Sequence, residues 1–419
     1  MNTGPRRVVS VAAVLLSLSV HAQTKTIKVS PASVESQPIL VLNSVVTEQW
    51  PATLSTVNFP SDISVLNPGQ CVRVGIVSTG VGFEHYLDGL SISYSVVSND
   101  RHDDLPMQPA VASKLIKPDG GDFVTGVLAS AGIKNPLEST GSLAVSATQW
   151  CVPLDAAEGT ITFKVVVKLN GQSPQIKDHP VHIESIETAA AKSFMNQNEL
   201  GLWMTSYHQQ PEPGRLLAAV RLVAADHDEN PNGLEFLKAA FGHDAGTSRG
   251  FGPSIAKMDK LSEMVALTLL KQAGVSLDHP PALLPADNDF LTNAAKLPDP
   301  YDMKPGSKLW MNLDLLWSDF IATGKKEPIV AITRSLVWKA DYDAFVAMQK
   351  EGQKPVGLTD SLIRGLTYSA AGWSLSSFDR NDPLAADYIQ AIQADPATDL
   401  EVKRTLANLQ TDPAFHPKK

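Results

Sequence analysis

The stretch Thr160–Val167 reads TITFKVVV, and the stretch Leu216–Val223 reads LLAAVRLV. The first is rich in β-branched residues and largely alternates between apolar and polar, which is typical of a half-buried strand. In the second, apolar residues recur at the spacing of one helix face. The change of period falls after Ile186, so we expect a β domain at residues 23–186 and an all-α domain at 187–419.

Other alternating stretches precede residue 160, separated by turn signals and without helical periodicity. They are Ile39–Leu42, Cys71–Val77, Leu90–Val97 and Ser142–Ala147. Several short strands in succession favour an antiparallel β-sandwich. Residues 99–141 are the least regular part, and we expect a long polar loop or a short helix there.

The N-terminus has the three parts of a secretory signal peptide. Arg6 and Arg7 precede the apolar run Val8–Val20, and the small residue Ala22 ends the segment. This pattern predicts export, with cleavage near Ala22. The alternative is an N-terminal membrane anchor, but the run is shorter than the ~20 residues that span a bilayer.

The charge distribution excludes some partners. Removal of residues 1–22 takes away two arginines and no acid, so the formal net charge changes from −9 to −11. Residues 23–186 hold 10 basic and 15 acidic residues, and residues 187–419 hold 23 and 29. Nucleic acids and anionic membranes are bound mainly through Lys and Arg. We therefore expect no nucleic-acid partner, and no later apolar run predicts a membrane span.

The chain has two cysteines, Cys71 and Cys151. In an exported protein an isolated pair predicts a disulfide. The alternative is two free or metal-bound thiols, but no further ligands stand at a familiar spacing. A cysteine pair beside Trp150 resembles the core of immunoglobulin-like sandwiches, which implies that architecture for the β domain.

The helical half shows pairs of apolar stripes joined by short connections, so neighbouring helices should be antiparallel. Asn232 is a candidate cap for one of these helices. Because the pairs differ in length and share no fixed period, we predict an irregular, α-solenoid-like array of helical hairpins. A proline- and aspartate-rich stretch at 278–307 could separate two helical subdomains or form a long functional loop.

The densest glycine segment, Gly242–Gly252, precedes a predicted helix. Backbone amides in such a loop can bind an anion, and an arginine would add charge. We therefore treat Gly246, Ser248, Arg249 and Gly250 as a candidate ligand site. The alternative is a flexible loop between helices.

A second candidate is the cluster Asp226, His227, Asp228 and Glu229 at the end of a helix. A carboxylate beside an imidazole could share a proton in acid–base chemistry, or several oxygens could hold a hard cation. The alternative is a solvated helix terminus before a turn.

Two weaker patterns complete the candidates. His179, His182 and Glu184 could supply metal ligands, but alternation along a strand places His179 on the opposite face from the other two. Aromatic and acidic residues that could line a sugar-binding groove also fit ordinary core packing. They are Glu199, Trp203, Tyr207 and His208.

No complete catalytic set, cofactor motif or metal-ligand set stands out. We therefore expect an exported, non-catalytic protein without a cofactor, whose helical array binds another extracytoplasmic protein. One alternative is an envelope glycan hydrolase or lyase using carboxylates of the helical domain. Another is a small-anion-binding protein centred on Arg249. The sequence does not predict the oligomeric state.

Overall fold

The structure is a computed structural model of the full chain. The residues that the structure describes are 41–47, 62–81, 91–98, 101–106, 111–112, 140–168, 173–225, 230–293, 297–303, 309–352 and 357–416. The predicted signal peptide and the cluster Asp226–Glu229 lie outside these residues.

The chain forms two compact units, Gln23–Ile186 and Glu187–Lys419. The first is built from strands and the second from helices. We call them the β unit and the helical unit.

The β unit contains two sheets. Its strands are β1 (Val41–Thr47), β2 (Val65–Leu66), β3 (Cys71–Val81), β4 (Ser91–Ser98), β5 (Arg101–Leu105), β6 (Val111–Ala112), β7 (Thr140–Ser146), β8 (Trp150–Cys151), β9 (Gly159–Lys168) and β10 (Gln175–Ile183). The first sheet has the order β1-β3-β7-β6, with β8 also paired to β3, and the second has the order β2-β10-β9-β4-β5. The β2–β10 pair is parallel, and the other pairs are antiparallel.

Side chains from both sheets form one apolar core. Val74 comes from the first sheet and Phe163 from the second, and both are buried. Trp150 packs its ring edge-on against Phe163, with the ring centroids 5.5 Å apart. Cys71 and Cys151 lie directly opposite each other in the β3–β8 pair and form the predicted disulfide.

Among the described residues of the irregular stretch predicted at 99–141 are the strands β5 and β6 and the first residues of β7. Strand β5 has the sequence RHDDL, whose charged side chains give no apolar alternation, and it pairs with β4 through the backbone. Strand β6 pairs with β7. Strand β5 is mostly polar, with only Leu105 packed against the core, and strand β6 has two residues, so the side-chain pattern did not reveal them.

The helical unit follows without strands among its described residues. Its helices are α1 (Ile186–Ala191), α2 (Gln197–Ser206), α3 (Leu216–Ala225), α4 (Pro231–His243), α5 (Ala245–Ser248), α6 (Gly252–Ile255), α7 (Lys260–Gln272), α8 (Pro285–Asn293), α9 (Leu309–Thr323), α10 (Lys326–Thr333), α11 (Lys339–Lys350), α12 (Asp360–Asn381), α13 (Pro383–Ala394) and α14 (Leu400–Ala407). Short 3-10 helices occur at Pro213–Arg215, Arg249–Phe251 and Arg334–Trp338. None of the described helices combines the length and apolar character needed to cross a bilayer.

The N-cap of helix α4 lies two residues earlier than the predicted cap, Asn232. The Oδ1 atom of Asn230 accepts a hydrogen bond from the backbone N–H of Gly233 at 2.9 Å, which makes Asn230 the N-cap. Pro231 takes the first helical position, where its missing N–H costs nothing. Asn232 therefore lies inside the helix, where it is buried.

A buried histidine–aspartate pair joins distant parts of the helical unit. His208 Nε2 lies 2.7 Å from Asp382 Oδ2, and the side chains are 0% and 7% exposed. Gln209 Nε2 donates to the same oxygen, and Asp382 Oδ1 caps α13 by accepting from the N–H of Ala385. The backbone N–H of His208 donates to Ile321 O in α9. The pair thus holds the end of α2 against α9 and the α12–α13 junction.

Burial opposes ionisation of Asp382, but His208 and the hydrogen bonds outweigh it and lower the pKa of this carboxyl below its usual value. A lowered folded-state pKa means that the ionised form stabilises the fold. This stabilisation is complete above the unfolded-state pKa of about 4 and is lost as the pH falls through the folded-state value.

We expect Asp382→Asn to lower the free energy of unfolding by about 2–3 kcal/mol at pH 7, because the cap to Ala385 survives while the charged bond to His208 is lost. Below pH 4 the difference from wild type should shrink. Denaturant titration of the full chain, followed by far-ultraviolet circular dichroism, measures both effects.

Asp343→Asn is the matched control, since Asp343 forms an exposed pair with Lys339 one helical turn away. That change should cost at most about 0.5 kcal/mol. Equal effects of the two variants would contradict the role given to the buried pair.

Candidate functional site

The glycine-rich segment forms successive helical turns instead of an open loop. Gly246 and Ser248 lie in α5, and Arg249 and Gly250 lie in the following 3-10 helix. Ser248 is completely buried, and its Oγ has no hydrogen-bond partner among the described residues. Gly246 and Arg249 are exposed while Ser248 between them is buried, so these residues do not line one open cradle.

Arg249 is held by a residue of the predicted break at 278–307. Its Nε and Nη2 atoms donate to Asp278 Oδ1 at 3.0 and 2.8 Å, and its backbone carbonyl accepts from the N–H of Asp278 at 3.0 Å. An anion would have to compete with this carboxylate for the guanidinium. The anion-binding hypothesis stays a prediction.

Gly252 brings the same two segments into direct backbone contact. A methyl group on its Cα would lie 1.7 Å from the carbonyl oxygen of His279. Real Cβ atoms do not approach another atom so closely, so only glycine allows this packing. The glycine-rich segment is therefore packed directly against residues 278–279.

The chain reaches this contact by reversing at the end of α7. Gly274 has a φ of +74°, and its N–H donates to Lys271 O at 3.1 Å. The N–H of Val275 donates to Leu270 O at 2.9 Å. These two bonds define a Schellman cap, for which glycine is preferred because of its left-handed conformation. The segment after Gly274 consequently runs back beside α7.

A groove lies between α7 and the returning segment. Its volume is about 280 Å³, and its lining combines apolar side chains with polar groups, among them Lys271 and Ser276. The lining residues are Leu267, Leu270, Lys271, Gly274, Val275, Ser276, Leu277 and Pro280. We call this the α7 groove. It is open to solvent.

Helix α8 lies beyond the groove, inside the stretch predicted as a break. Lys260, at the start of α7, donates to Asp287 Oδ2 at 2.6 Å, and Lys271, at its end, donates to Leu291 O at 3.0 Å. The bond from Lys260 lowers the pKa of the Asp287 carboxyl below its usual value. The two lysines therefore hold α8 along α7.

The predicted aromatic groove is instead part of the core. Trp203 and Tyr207 are buried and make edge-on contacts with Phe236, at centroid distances of 5.8 and 5.4 Å. The indole Nε1 of Trp203 donates to Glu212 Oε2 at 2.7 Å. Glu199 pairs with Arg215 at 3.2 Å.

The helical unit also contains a buried carboxylate that the sequence did not single out. Burial raises the pKa of Glu235 above its usual value, although Lys238 lies 2.6 Å from its Oε2 and opposes the shift. A raised carboxyl pKa is what a general acid needs. Glu235 is almost fully buried, however, and its carboxylate is bound to Lys238. The glycan-hydrolase hypothesis stays a prediction.

In the β unit, the two histidines of the candidate metal pattern contact different carboxylates. His182 Nε2 lies 4.0 Å from Glu158 Oε1, whereas His179 Nε2 lies 3.2 Å from Asp62 Oδ1. His179 also contacts Ser44. Strand alternation predicted that His179 and His182 lie on opposite faces. Nothing in the sequence indicated that Asp62 and Ser44 contact His179.

Comparison with known proteins gives no relative: the chain matches no protein-family model and no curated protein. The functional argument therefore depends on the geometry of this chain alone.

We expect Gly252→Ala to displace the segment around His279 and to lower the free energy of unfolding of the helical unit by about 1–3 kcal/mol, because backbone atoms must move apart. Denaturant titration of the full chain measures the loss. Limited proteolysis between residues 275 and 284 should become faster.

Gly242→Ala is the control, because a methyl group there would lie 3.5 Å from Ala273 O, an ordinary contact distance. It should leave stability and proteolysis nearly unchanged. If Gly252→Ala behaved in the same way, the groove wall would not depend on this contact.

Proposed function

We propose that this protein is an exported binding protein whose helical unit holds an apolar side chain of a partner protein in the α7 groove. The observation that carries the proposal is the groove itself, an open depression of mixed polar and apolar lining with a wall fixed at Arg249 and Gly252.

The size of the groove favours a protein side chain over an enclosed ligand. Small-molecule sites have volumes of roughly 300–1,000 Å³ and bury most of their ligand. The α7 groove has about 280 Å³ and is open to solvent. An apolar anchor set into a shallow pocket with a polar rim is the usual centre of a protein interface.

A fixed groove also reduces the free energy that binding must spend on ordering the protein. Pro280 restricts the backbone of the wall. The ion pair of Arg249 with Asp278 and the close approach at Gly252 hold the wall against the preceding helical turns. The partner would therefore meet a surface that already has its bound shape.

The charge of the helical unit suggests the character of the partner. Residues 187–419 hold 29 acidic and 23 basic residues. Complementary potentials raise association rates, so we propose a partner with basic residues around its apolar anchor. The disulfide is compatible with an extracytoplasmic location, which supports export and an extracytoplasmic partner.

The proposal includes the finer architecture. We propose that the two sheets of the β unit form an immunoglobulin-like sandwich, supported by their common core and by Trp150 beside the disulfide. We further propose that the helical unit is an irregular, solenoid-like array that displays the groove at its surface.

The test is capture from the native extracytoplasmic extract with the tagged full-length mature chain, comparing wild type with Leu277→Asp. A carboxylate in the groove should weaken binding by about 2 kcal/mol or more, roughly 30-fold in Kd. The wild type should retain one stoichiometric partner that the variant loses. Ser276→Trp, at an exposed lining position, should also block the groove.

Leu358→Asp is the matched control, because Leu358 is an exposed leucine outside the groove lining. It should capture the same partner as wild type. Unchanged capture by Leu277→Asp in a folded chain would refute the proposal, as would equal loss in the control or recovery of the wild-type chain alone.

A further inference from the structure

Three polar side chains from separate parts of the chain meet in the β unit. Ser44 belongs to β1, Asp62 precedes β2, and His179 belongs to β10. Ser44 Oγ lies 3.3 Å from His179 Nδ1, and Asp62 Oδ1 lies 3.2 Å from His179 Nε2. A hydroxyl, an imidazole and a carboxylate thus form one continuous chain of contacts.

The position of the trio leaves it accessible while it borders the core. By strand alternation, His179 lies on the same face as the buried residues Val181 and Ile183, and Ser44 lies on the same face as the buried Val46. The His179 side chain is 13% exposed and that of Asp62 is 39% exposed, and Ser44 is half-buried. All three residues are therefore partly accessible to solvent.

The carboxylate is held in place by the backbone. Asp62 Oδ1 accepts a hydrogen bond from the N–H of Val46 at 2.9 Å, next to its contact with His179 Nε2. A carboxylate at one ring nitrogen favours the tautomer that carries its proton there. The lone pair of Nδ1 then faces the hydroxyl of Ser44.

A serine is activated by these three groups in this order, although here the hydroxyl faces Nδ1 and the carboxylate faces Nε2, the reverse of the usual assignment of the two ring nitrogens. A nucleophile within hydrogen-bond reach of a base, with the base oriented by a third group, is recognised by its geometry and not by its position in the sequence. We propose that Ser44 is a nucleophile towards carboxylic esters, with His179 as its general base and Asp62 as the positioning residue.

In the proposed reaction, Ser44 Oγ bonds to the carbonyl carbon of the ester while its proton passes to His179 Nδ1. The proton then moves to the leaving alkoxide oxygen as the ester C–O bond breaks, which releases an alcohol and leaves an acyl-serine. Water, activated by the same nitrogen, hydrolyses the acyl-serine to a carboxylic acid and restores the hydroxyl. Esters are favoured over amides because an alkoxide leaves more easily than an amine.

The activity lies in the β unit and goes beyond the proposed binding function, which depends on the helical unit. Variants of the α7 groove should therefore leave it unchanged. If the binding experiment fails, the esterase proposal still stands, and if the esterase experiment fails, the binding proposal still stands.

The test is reaction of the full-length mature chain with a fluorophosphonate probe, followed by mass spectrometry of the labelled peptide. Attack by Ser44 forms an Oγ–P bond, releases fluoride and transfers the proton to His179. We expect labelling at Ser44, with a rate that rises across the pH range in which an imidazole loses its proton. Ser44→Ala should abolish the label, and Ser93→Ala, at an exposed serine of β4, should not.

Asp62→Asn tests the role of the carboxylate charge without removing the hydrogen bond that holds this side chain. The amide oxygen can still accept from Val46, so the fold should be retained, but the charge that selects the tautomer is lost. The labelling rate should fall about 100-fold or more, and its pH profile should change. His179→Gln should have a similar or larger effect.

Labelling of Ser44 no faster than that of Ser93 would overturn the proposal. An unchanged rate and pH profile in a folded Asp62→Asn chain would also overturn it. In either case the trio serves only to connect the two sheets.

Discussion

The close approach of Gly252 to the carbonyl of His279 is the constraint on which the α7 groove depends. No side chain larger than hydrogen fits between these backbones. This contact holds the segment that follows Gly274 at His279. The hydrogen bonds between Arg249 and Asp278 hold the same segment one residue earlier. Because the wall is fixed at these points, the groove is already formed in the chain by itself.

Polar contacts between distant residues position the rest of the molecule. His208 and Asp382 are 174 residues apart, and Ser44 and His179 are 135 residues apart. A buried polar group without a partner costs free energy, so each of these contacts restricts the fold to arrangements that satisfy it. In the helical unit the contact is closed to solvent, which suits a structural role. In the β unit the contact is open to solvent, which allows chemistry.

The features predicted from the sequence are those that local pattern controls. The alternation in Thr160–Val167 and the helical period of Leu216–Val223 distinguish a β region from a helical one, and two cysteines in an exported chain indicate a disulfide. Only the second half of strand β10, from His179 onward, was treated as a strand, because residues 175–178 are all exposed and show no alternation in burial. The groove escaped it because Arg249 and Asp278 belong to segments with separate local signals, one glycine-rich and one proline-rich. Their meeting depends on tertiary packing around Gly252, which no local pattern records.

We propose that the groove is preformed and that a partner protein occupies it. Hydrogen exchange of the wild-type chain, alone and with the captured partner, tests both parts. The account predicts slow exchange at the Asp278 amide in the free chain, because this amide donates to Arg249 O, and added protection across residues 267–280 on binding. Exchange at the unstructured rate in the free chain, or protection by the partner only at other segments, would contradict the account.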